Sequence, residues 1–345
     1  MSKLPESLEN KGSSDILAAS RFSVAPMMDW TDRHCRYLHR LMSRHTLLYT
    51  EMVTAPALVR GGAVHLLAHD PAEHPLAVQL GGSDPAELAQ ASRIAGEAGF
   101  DEINLNVGCP SDRVRSGCFG AVLMTRPELV AECVAEMIAA SPVEVTVKCR
   151  IGVDDQVPEE VLPAFLETIS AAGVTRFAIH GRKAWLQGLS PKENRTIPPL
   201  DHRLVLRMKR AFPHLHITIN GGIGSLRQAR EFLDAGIDGV MIGRAAYHMP
   251  ADILLKADRE IFARPGSKST QQVVAEMRPY IARHLAAGGR LHDVTRHMLG
   301  LFAGAPGARG WRRTLSEGAR QPQAGLAVLD AALACLDADA MAAGA

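Results

Sequence analysis

The sequence has no unbroken apolar stretch approaching the ~20 residues that cross a bilayer, and its Ala-rich end is interrupted by Asp330, Asp337 and Asp339. No Cys-x-x-Cys pair and no regular Cys/His spacing occurs among its six cysteines, Cys35, Cys109, Cys118, Cys133, Cys149 and Cys335. That argues against structural zinc and against a disulfide framework, and it fits a reducing cytoplasm. Residues 1–20 carry Glu6, Glu9, Asp15 and several serines but no apolar core of signal-peptide length, so they are expected to be a disordered polar tail. Net charge is nearly absent as well, +1 from 38 basic and 37 acidic residues. What these absences leave is a soluble cytoplasmic chain of 345 residues, of the length expected for one large domain and a smaller one.

The near-neutral total conceals an asymmetry. Eight arginines between Arg278 and Arg320 face only Asp293 and Glu317, an excess of +6, so the rest of the chain carries −5. A local basic patch of this kind is the footprint of phosphate-backbone binding, although a solvated helix face would also read this way.

Eight β-rich runs follow one another at 22–25, 47–51, 76–80, 102–106, 143–148, 176–180, 216–220 and 239–243, and helical periodicity fills most of the gaps. Asp84-Pro85 with Glu87, and Thr125 with Pro127 and Glu128, are helix starts that pair a capping oxygen with proline and an early carboxylate. Strands alternating with helices in this number predict an α/β fold, a parallel (β/α)8 TIM barrel spanning 21–264. Beyond it the strand signals stop. Helices are expected at 271–287, 291–302 and 323–341, broken by Gly288-Gly289 and Gly304-Ala-Pro-Gly307, so a small helical bundle occupies 265–345.

The run Asn104-Leu-Asn-Val-Gly-Cys109-Pro110 ends a buried strand in polar groups and a thiol. Gly108 and Pro110 break the backbone on either side of Cys109, which presents the thiol rather than packing it. Barrel active sites lie at the C-terminal ends of the strands, and polar residues recur there: Gln79 after the third run, Asn106 and Cys109 after the fourth, Lys148, His180 and Asn220 after the fifth, sixth and seventh. Asn220-Gly-Gly-Ile-Gly224 and Gly243-Arg244 sit where barrels commonly build a phosphate site, glycine letting backbone N–H groups approach an anion and Arg244 adding a full charge. A tight turn alone would also account for the glycines.

Taken together, Asn106-Val-Gly-Cys-Pro110 with Val114, Gly117 and Phe119-Gly-Ala-Val-Leu-Met124 resembles the signature of the flavin-dependent tRNA-dihydrouridine synthases. Ala25-Pro-Met-Met-Asp-Trp-Thr-Asp32, Val147-Lys-Cys-Arg150, Ile179-His-Gly-Arg182 and Asn220-Gly-Gly222 match in the same order, and Leu189-Ser-Pro-Lys-Glu-Asn-Arg195 is most similar to the bacterial A-type branch. One departure is Val122, in place of a small residue or a cysteine, with Cys118 a second thiol nearby. The resemblance implies an FMN-binding barrel with a C-terminal helical bundle, NADPH as hydride donor and tRNA as partner, with no metal, no membrane and no obligatory protein partner. It implies that Pro26, Met27 and Met28 lie against the flavin, that Gln79, Lys148 and His180 contact it, and that Asn220, Gly221, Gly222, Gly243 and Arg244 grip its phosphate. Lys148 would be a fixed cation stabilising negative charge on the ring.

The implied reaction reduces uridine to 5,6-dihydrouridine in the D-loop of tRNA, around nucleotides 20 and 20a. Hydride reaches C6 of the uracil and Cys109 protonates C5, a task for the protonated thiol. Asn106 orients the uridine, and Lys192, Arg195, Arg309 and Arg312 hold the tRNA. The target base must be turned out of the folded RNA, the remainder being held by shape and phosphates. Trp311, among the arginines, either stacks on a base or anchors the helical domain. Two other readings are a flavin barrel acting on a small pyrimidine or enone, which the arginine-rich C-terminal region disfavours, and a non-catalytic RNA-binding barrel, which intact Cys109 and Lys148 disfavour.

Overall fold

The computed structural model describes residues 15–111, 119–265 and 268–343, with side chains to residue 336. Val114, Gly117 and Cys118 therefore lie outside the described residues. The chain divides into two compact units, Met1–Asp29 with Thr46–Gly243, and Trp30–His45 with Arg244–Ala345.

The first unit is built on eight parallel strands: β1 Phe22–Val24, β2 Leu48–Thr54, β3 Leu76–Gly81, β4 Glu102–Val107, β5 Glu144–Arg150, β6 Arg176–His180, β7 His216–Asn220 and β8 Gly239–Ile242. They pair in sequence from β2 to β8, and β8 pairs with β1. Ser23 of β1 bridges Leu47 at the start of β2, where the Leu47 N–H donates to the Phe22 carbonyl and the Val24 N–H to the Leu47 carbonyl, both at 3.0 Å. The sheet thus closes on itself as the (β/α)8 barrel that the strand count predicts, each strand within three residues of its expected bounds at either end.

Strand alternation sorts the residues. On β4, Ile103, Leu105 and Val107 point outward to the helices, while Glu102, Asn104 and Asn106 point into the barrel, where side chains from neighbouring strands bond to them. The barrel interior is correspondingly polar there, and Arg176, His180 and Asn220 add polar groups from β6 and β7. A buried apolar cluster of Ala25, Leu47, Tyr49, Ala77, Ala178 and Met241 packs beside them.

Ile16 and Ala19 join that cluster, and residues 15–19 are helical. This departs from a polar tail running to residue 20. The two apolar side chains lie one helical turn apart and both are buried, a signal too short to stand out beside Asp15 and the serines.

Helices of this unit start where chemistry predicts. The Asp84 carboxylate accepts from the Glu87 N–H at 2.8 Å ahead of Pro85–Glu97, and Asp201 and Ser225 cap His202–Ala211 and Leu226–Asp234 in the same way. The helix Pro127–Ala140 also starts with its proline, but Arg126 stands at the cap and makes no side-chain bond there, while the Thr125 hydroxyl donates back to the Val122 carbonyl at 2.8 Å.

The second unit is helical. It contains Arg33–Met42, Arg244–His248, Pro250–Glu260, Thr270–Ala286, Leu291–Thr295, Ala308–Gly318 and Leu326–Ala343. It therefore sets in before residue 265 and takes in residues 30–45. Asp258 ties the latter to the C-terminal part, accepting from the Ser43 hydroxyl at 2.6 Å and the Arg44 N–H at 2.8 Å. Asp32 does the same from the other end. It caps Arg33–Met42 through the N–H groups of His34 and Cys35 and also meets Arg296 at 2.5 Å and His297 at 3.0 Å. Burial raises the Asp32 pKa, but the bond and charge of His297, the Cys35 amide and Arg296 outweigh it and hold the carboxyl well below the usual range.

Two sequence expectations shift here. The helix expected at 291–302 ends at Thr295, and Ala308–Gly318 was not expected. Gly307, at φ 76°, allows the chain to turn into this helix. Within it Ala308, Trp311 and Leu315 are buried at helical spacing.

Candidate functional site

The site at the barrel mouth is assembled from inward-facing residues at successive strand ends. Register sets them side by side: Gln79 opposite Asn104, Asn106 opposite Lys148, and His180 opposite Asn220. Asn106 is the hinge between strand and loop. Its Oδ1 accepts from the N–H groups of Gly108 and Cys109 at 3.0 and 2.9 Å, and its Nδ2 donates to Gln79 Oε1 at 2.7 Å. The Cys109 loop is thereby folded back over the strand that carries it. Cys109 is half-buried, its thiol donating to the Ser111 hydroxyl at 3.5 Å and its carbonyl accepting from Ala121 N–H at 2.9 Å.

Beside this loop stand two cations on β5. Lys148 Nζ donates to Asn220 Oδ1 at 3.1 Å, and Asn220 Nδ2 donates to the Met241 carbonyl at 2.8 Å, which fixes the lysine across three strands. Burial pushes the Lys148 pKa down to about 8, and the nearby Arg150 charge adds to the shift. Arg150, two residues on and facing the same way, is buried. It donates from Nε to the Gly108 carbonyl at 2.9 Å and from one terminal nitrogen to the carbonyls of Lys183 and Asn194 at 3.1 and 3.0 Å. Burial lowers its pKa to about 10, with Arg195 and Arg182 contributing against the opposite pull of Cys109.

Across the mouth, His180 ends β6 and packs against the Gly221 turn. A Cβ at Gly221 would lie 2.2 Å from the His180 ring, and one at Gly222 would lie 2.4 Å from Leu200. Both glycines have positive φ, 109° and 68°, so the turn requires them for conformation as well as space. The His202 ring bonds the Gly221 carbonyl at 2.7 Å and pins the turn. Gly243 closes the ring of strand ends, its Cα within reach of Met27, whose sulfur would meet an added Cβ at 3.3 Å. Next along the chain, Met28 is 52 % exposed, an apolar side chain left open in the loop that follows β1, and Pro26 is half-buried.

The donor set fits a planar, partly anionic cofactor: methionines offer an apolar face, Lys148 a held cation, and the Gly221-Gly222 turn closely approachable backbone. Among the described residues no group of three or more His, Cys, Asp or Glu side chains is placed to hold a metal ion, and no helix is long and apolar enough to cross a membrane.

Lys192 and Arg195 are exposed on the turn at 192–195, in the loop that follows β6. The buried Asn194 between them organises that loop, its side chain accepting from the Trp185 N–H at 2.7 Å and donating to the Trp185 and Leu189 carbonyls at 2.9 and 3.1 Å. In the second unit, Arg244 opens the helix Arg244–His248 and is exposed, as are Arg309 and Arg312. The two latter stand three residues apart on the solvent side of Ala308–Gly318, with Trp311 on its buried side. Trp311 is fully buried, donates from its indole to the Met298 carbonyl at 3.1 Å and meets Phe302 edge-on at 4.8 Å. It anchors this unit, which settles the choice between anchor and base-stacking platform. Of the eight arginines in the basic segment, Arg278 and Arg296 are engaged in ion pairs with Asp330 and Asp32.

Arg150, Asn194 and Asn104 fall within the sequence motifs but were given no role of their own, and Thr146 was not singled out. Arg150 and Thr146 share the inward parity of Lys148 on β5, and Asn104 shares that of Asn106 on β4, a signal that alternation alone could have supplied.

Residues 23–337 match the family described as Dihydrouridine synthase (Dus). A tRNA-dihydrouridine(20/20a) synthase from Vibrio cholerae serotype O1 is 56% identical over 316 residues, covering 91% of this chain and 96% of its own length. One from Escherichia coli strain K12 is 55% identical over 338 residues, 96% of each chain. Among solved structures, an old yellow enzyme homologue from Zymomonas mobilis superposes with a TM-score of 0.52 at 15% identity, over 74% of this chain and 92% of its own. At that identity the likeness concerns the barrel fold alone.

Proposed function

The chain belongs to the dihydrouridine synthase family, and from that premise we propose that it is an A-type tRNA-dihydrouridine synthase, an oxidoreductase that reduces uridine to 5,6-dihydrouridine in the D-loop of tRNA around nucleotides 20 and 20a. Its cofactor is FMN, its hydride donor NADPH, and its place of action the cytoplasm. The observation that carries this reading is the placement of Cys109: a half-buried thiol on a loop clamped by Asn106 and Arg150, beside the held ammonium of Lys148.

When bound, FMN supplies hydride to C6 of the uracil and is replenished from NADPH. The protein's own part is to hold, orient and protonate. Cys109 gives its thiol proton to C5, so that one hydride and one proton together saturate the C5–C6 bond. Asn106 has one Nδ2 hydrogen committed to Gln79, which leaves the other for a uracil carbonyl. Lys148, with one hydrogen bond to Asn220, keeps further N–H donors for the cofactor ring. Met27 and Met28 lie against the ring, His180 borders it, and Asn220, Gly221, Gly222 and Gly243 receive the phosphate. Lys192 and Arg195 in the first unit and Arg309 and Arg312 in the second take up tRNA phosphates.

The test is nucleoside mass spectrometry of tRNA from a strain deleted for the gene, mapped along the D-loop, with and without the gene restored. Loss of dihydrouridine at nucleotides 20 and 20a that the gene reverses is the expected result. An unchanged D-loop would overturn the assignment.

A further inference from the structure

Beneath the site, a single file of side chains runs through the barrel interior from a buried carboxylate to the Cys109 loop. Glu102 is fully buried on β4 and is ion-paired with Arg176 at 2.5 Å. Burial opposes the Arg176 charge, but Glu102 and Glu144 outweigh it and raise the guanidinium pKa above its ordinary value. Tyr49 donates its hydroxyl to Glu102 Oε1 at 2.6 Å, and burial together with the Glu102 charge raises the phenol pKa, so it remains a donor.

A carboxylate so placed only accepts hydrogen bonds. Thr146 must therefore give its one hydroxyl hydrogen to Glu102 Oε1, at 2.6 Å, and its oxygen is left to accept from Asn104 Nδ2 at 2.8 Å. That turns Asn104 Oδ1 toward Gln79, where it accepts from Nε2 at 2.9 Å. Gln79 Oε1 then accepts from Asn106 Nδ2 at 2.7 Å, and Asn106 Oδ1 faces the N–H groups of Gly108 and Cys109. Flipping any one amide sets donor against donor or acceptor against acceptor, and flipping all three requires Thr146 to abandon the carboxylate. Ambiguity of amide orientation, usual at such sites, is removed here from both ends.

We propose that Glu102, acting through Thr146, Asn104 and Gln79, is a positioning group that fixes the orientation of Asn106 and with it the seat of the Cys109 loop. Thr146 and Asn104 touch neither the thiol nor the mouth of the barrel; they are positioning residues. The consequence for catalysis rests on the reading of Cys109 as the proton donor, whereas the consequence for the loop does not.

Thr146→Val keeps the shape and removes both hydrogen-bonding roles, and Thr146→Ser restores them. The first readout is the rate at which iodoacetamide alkylates Cys109, followed by peptide mass spectrometry. It is expected to rise several-fold in Thr146→Val and to match wild type in Thr146→Ser. The second is kcat for dihydrouridine formation, expected to fall about 10-fold or more in Thr146→Val, as small misplacements of reacting groups do, and to return to the wild-type value in Thr146→Ser. Should Thr146→Val not fold, Asn104→Leu breaks the same file and carries the same expectations. Wild-type alkylation in a folded Thr146→Val or Asn104→Leu protein overturns the proposal, as does a Thr146→Ser variant as impaired as Thr146→Val. A wild-type protein that makes no dihydrouridine fails the functional reading but leaves the alkylation test of the file intact.

Discussion

Arg150 and Asn194 meet in a 3.0 Å hydrogen bond from guanidinium to backbone carbonyl, and the same guanidinium holds the Gly108 carbonyl at 2.9 Å. One side chain thus seats both the loop that carries the thiol and the loop that carries Lys192 and Arg195. Arg150→Met would leave the buried Asn194 carbonyl and the half-buried carbonyls of Gly108 and Lys183 short of a donor. The buried loss costs about 1–3 kcal/mol and each half-buried one less, since water reaches it. Calorimetry should show a fall in Tm by several degrees, and dihydrouridine formation should drop with it. A variant with wild-type Tm would mean that water or a neighbour replaces the guanidinium.

On the proposed mechanism, Cys109→Ala separates the two halves of the reaction. Flavin reduction by NADPH does not use the thiol and should stay near normal in stopped-flow absorbance, while dihydrouridine formation should fall by about 10²-fold or more, the usual loss when a general acid is removed. Parallel loss of both rates would place Cys109 in cofactor binding instead.

Lys148 gives a pH signature. Its pKa stands near 8 in the folded chain against an ordinary 10.5. Below about pH 8 both folded and unfolded chains hold the proton and the fold bears the cost of keeping a partly buried charge. Between about 8 and 10.5 the unfolded chain keeps a proton that the folded chain has lost, so stability rises with pH. Lys148→Met should therefore be more stable than wild type near pH 7, with the gap narrowing toward pH 10.5, and should retain less flavin. Urea titrations across this range check the first point and absorbance at constant protein the second. A gap that widens with pH contradicts the assigned shift.

The Arg309→Ala, Arg312→Ala double variant should bind unmodified tRNA more weakly and with a shallower salt dependence, by up to about one counterion per lost phosphate contact. Flavin reduction by NADPH should be untouched. Identical slope and affinity would reduce these arginines to a solvated face.

Trp311→Ala removes a fully buried indole and should destabilise the second unit by about 3–5 kcal/mol. Near-UV circular dichroism and thermal unfolding report it. Full stability combined with lost tRNA binding would restore the stacking role that burial argues against.

Much of this was legible in the sequence because a barrel writes itself twice, in β-rich runs and in the polar residues that end them. Gln79, Asn106, Lys148, His180 and Asn220 stood out as polar groups finishing apolar strands, and the register pairs Asn106 with Lys148 and His180 with Asn220 on neighbouring strands, with Gln79 opposite Asn104. Arg150 and Thr146 were given no role although they share the inward parity of Lys148, because alternation tells which way a side chain faces and not which partner meets it there. The helix Ala308–Gly318 was passed over for a related reason: its arginines drew attention as charge, and the spacing of Ala308, Trp311 and Leu315 that makes it a helix went uncounted. The grouping of residues 30–45 with the C-terminal helices depends on Asp32 and Asp258, whose partners lie more than 200 positions away, a relation that no local pattern encodes.

The turn at 15–19 bears on how the chain is made. Ile16 and Ala19 pack in a cluster that includes Met241 of the last strand, so their resting place does not exist until about 225 further residues have left the ribosome. At about 5–20 residues per second, that is a wait of roughly 10–45 s. For that time the first strand and the turn before it must be kept from other partners, and the barrel is closed by its first and last strands arriving together.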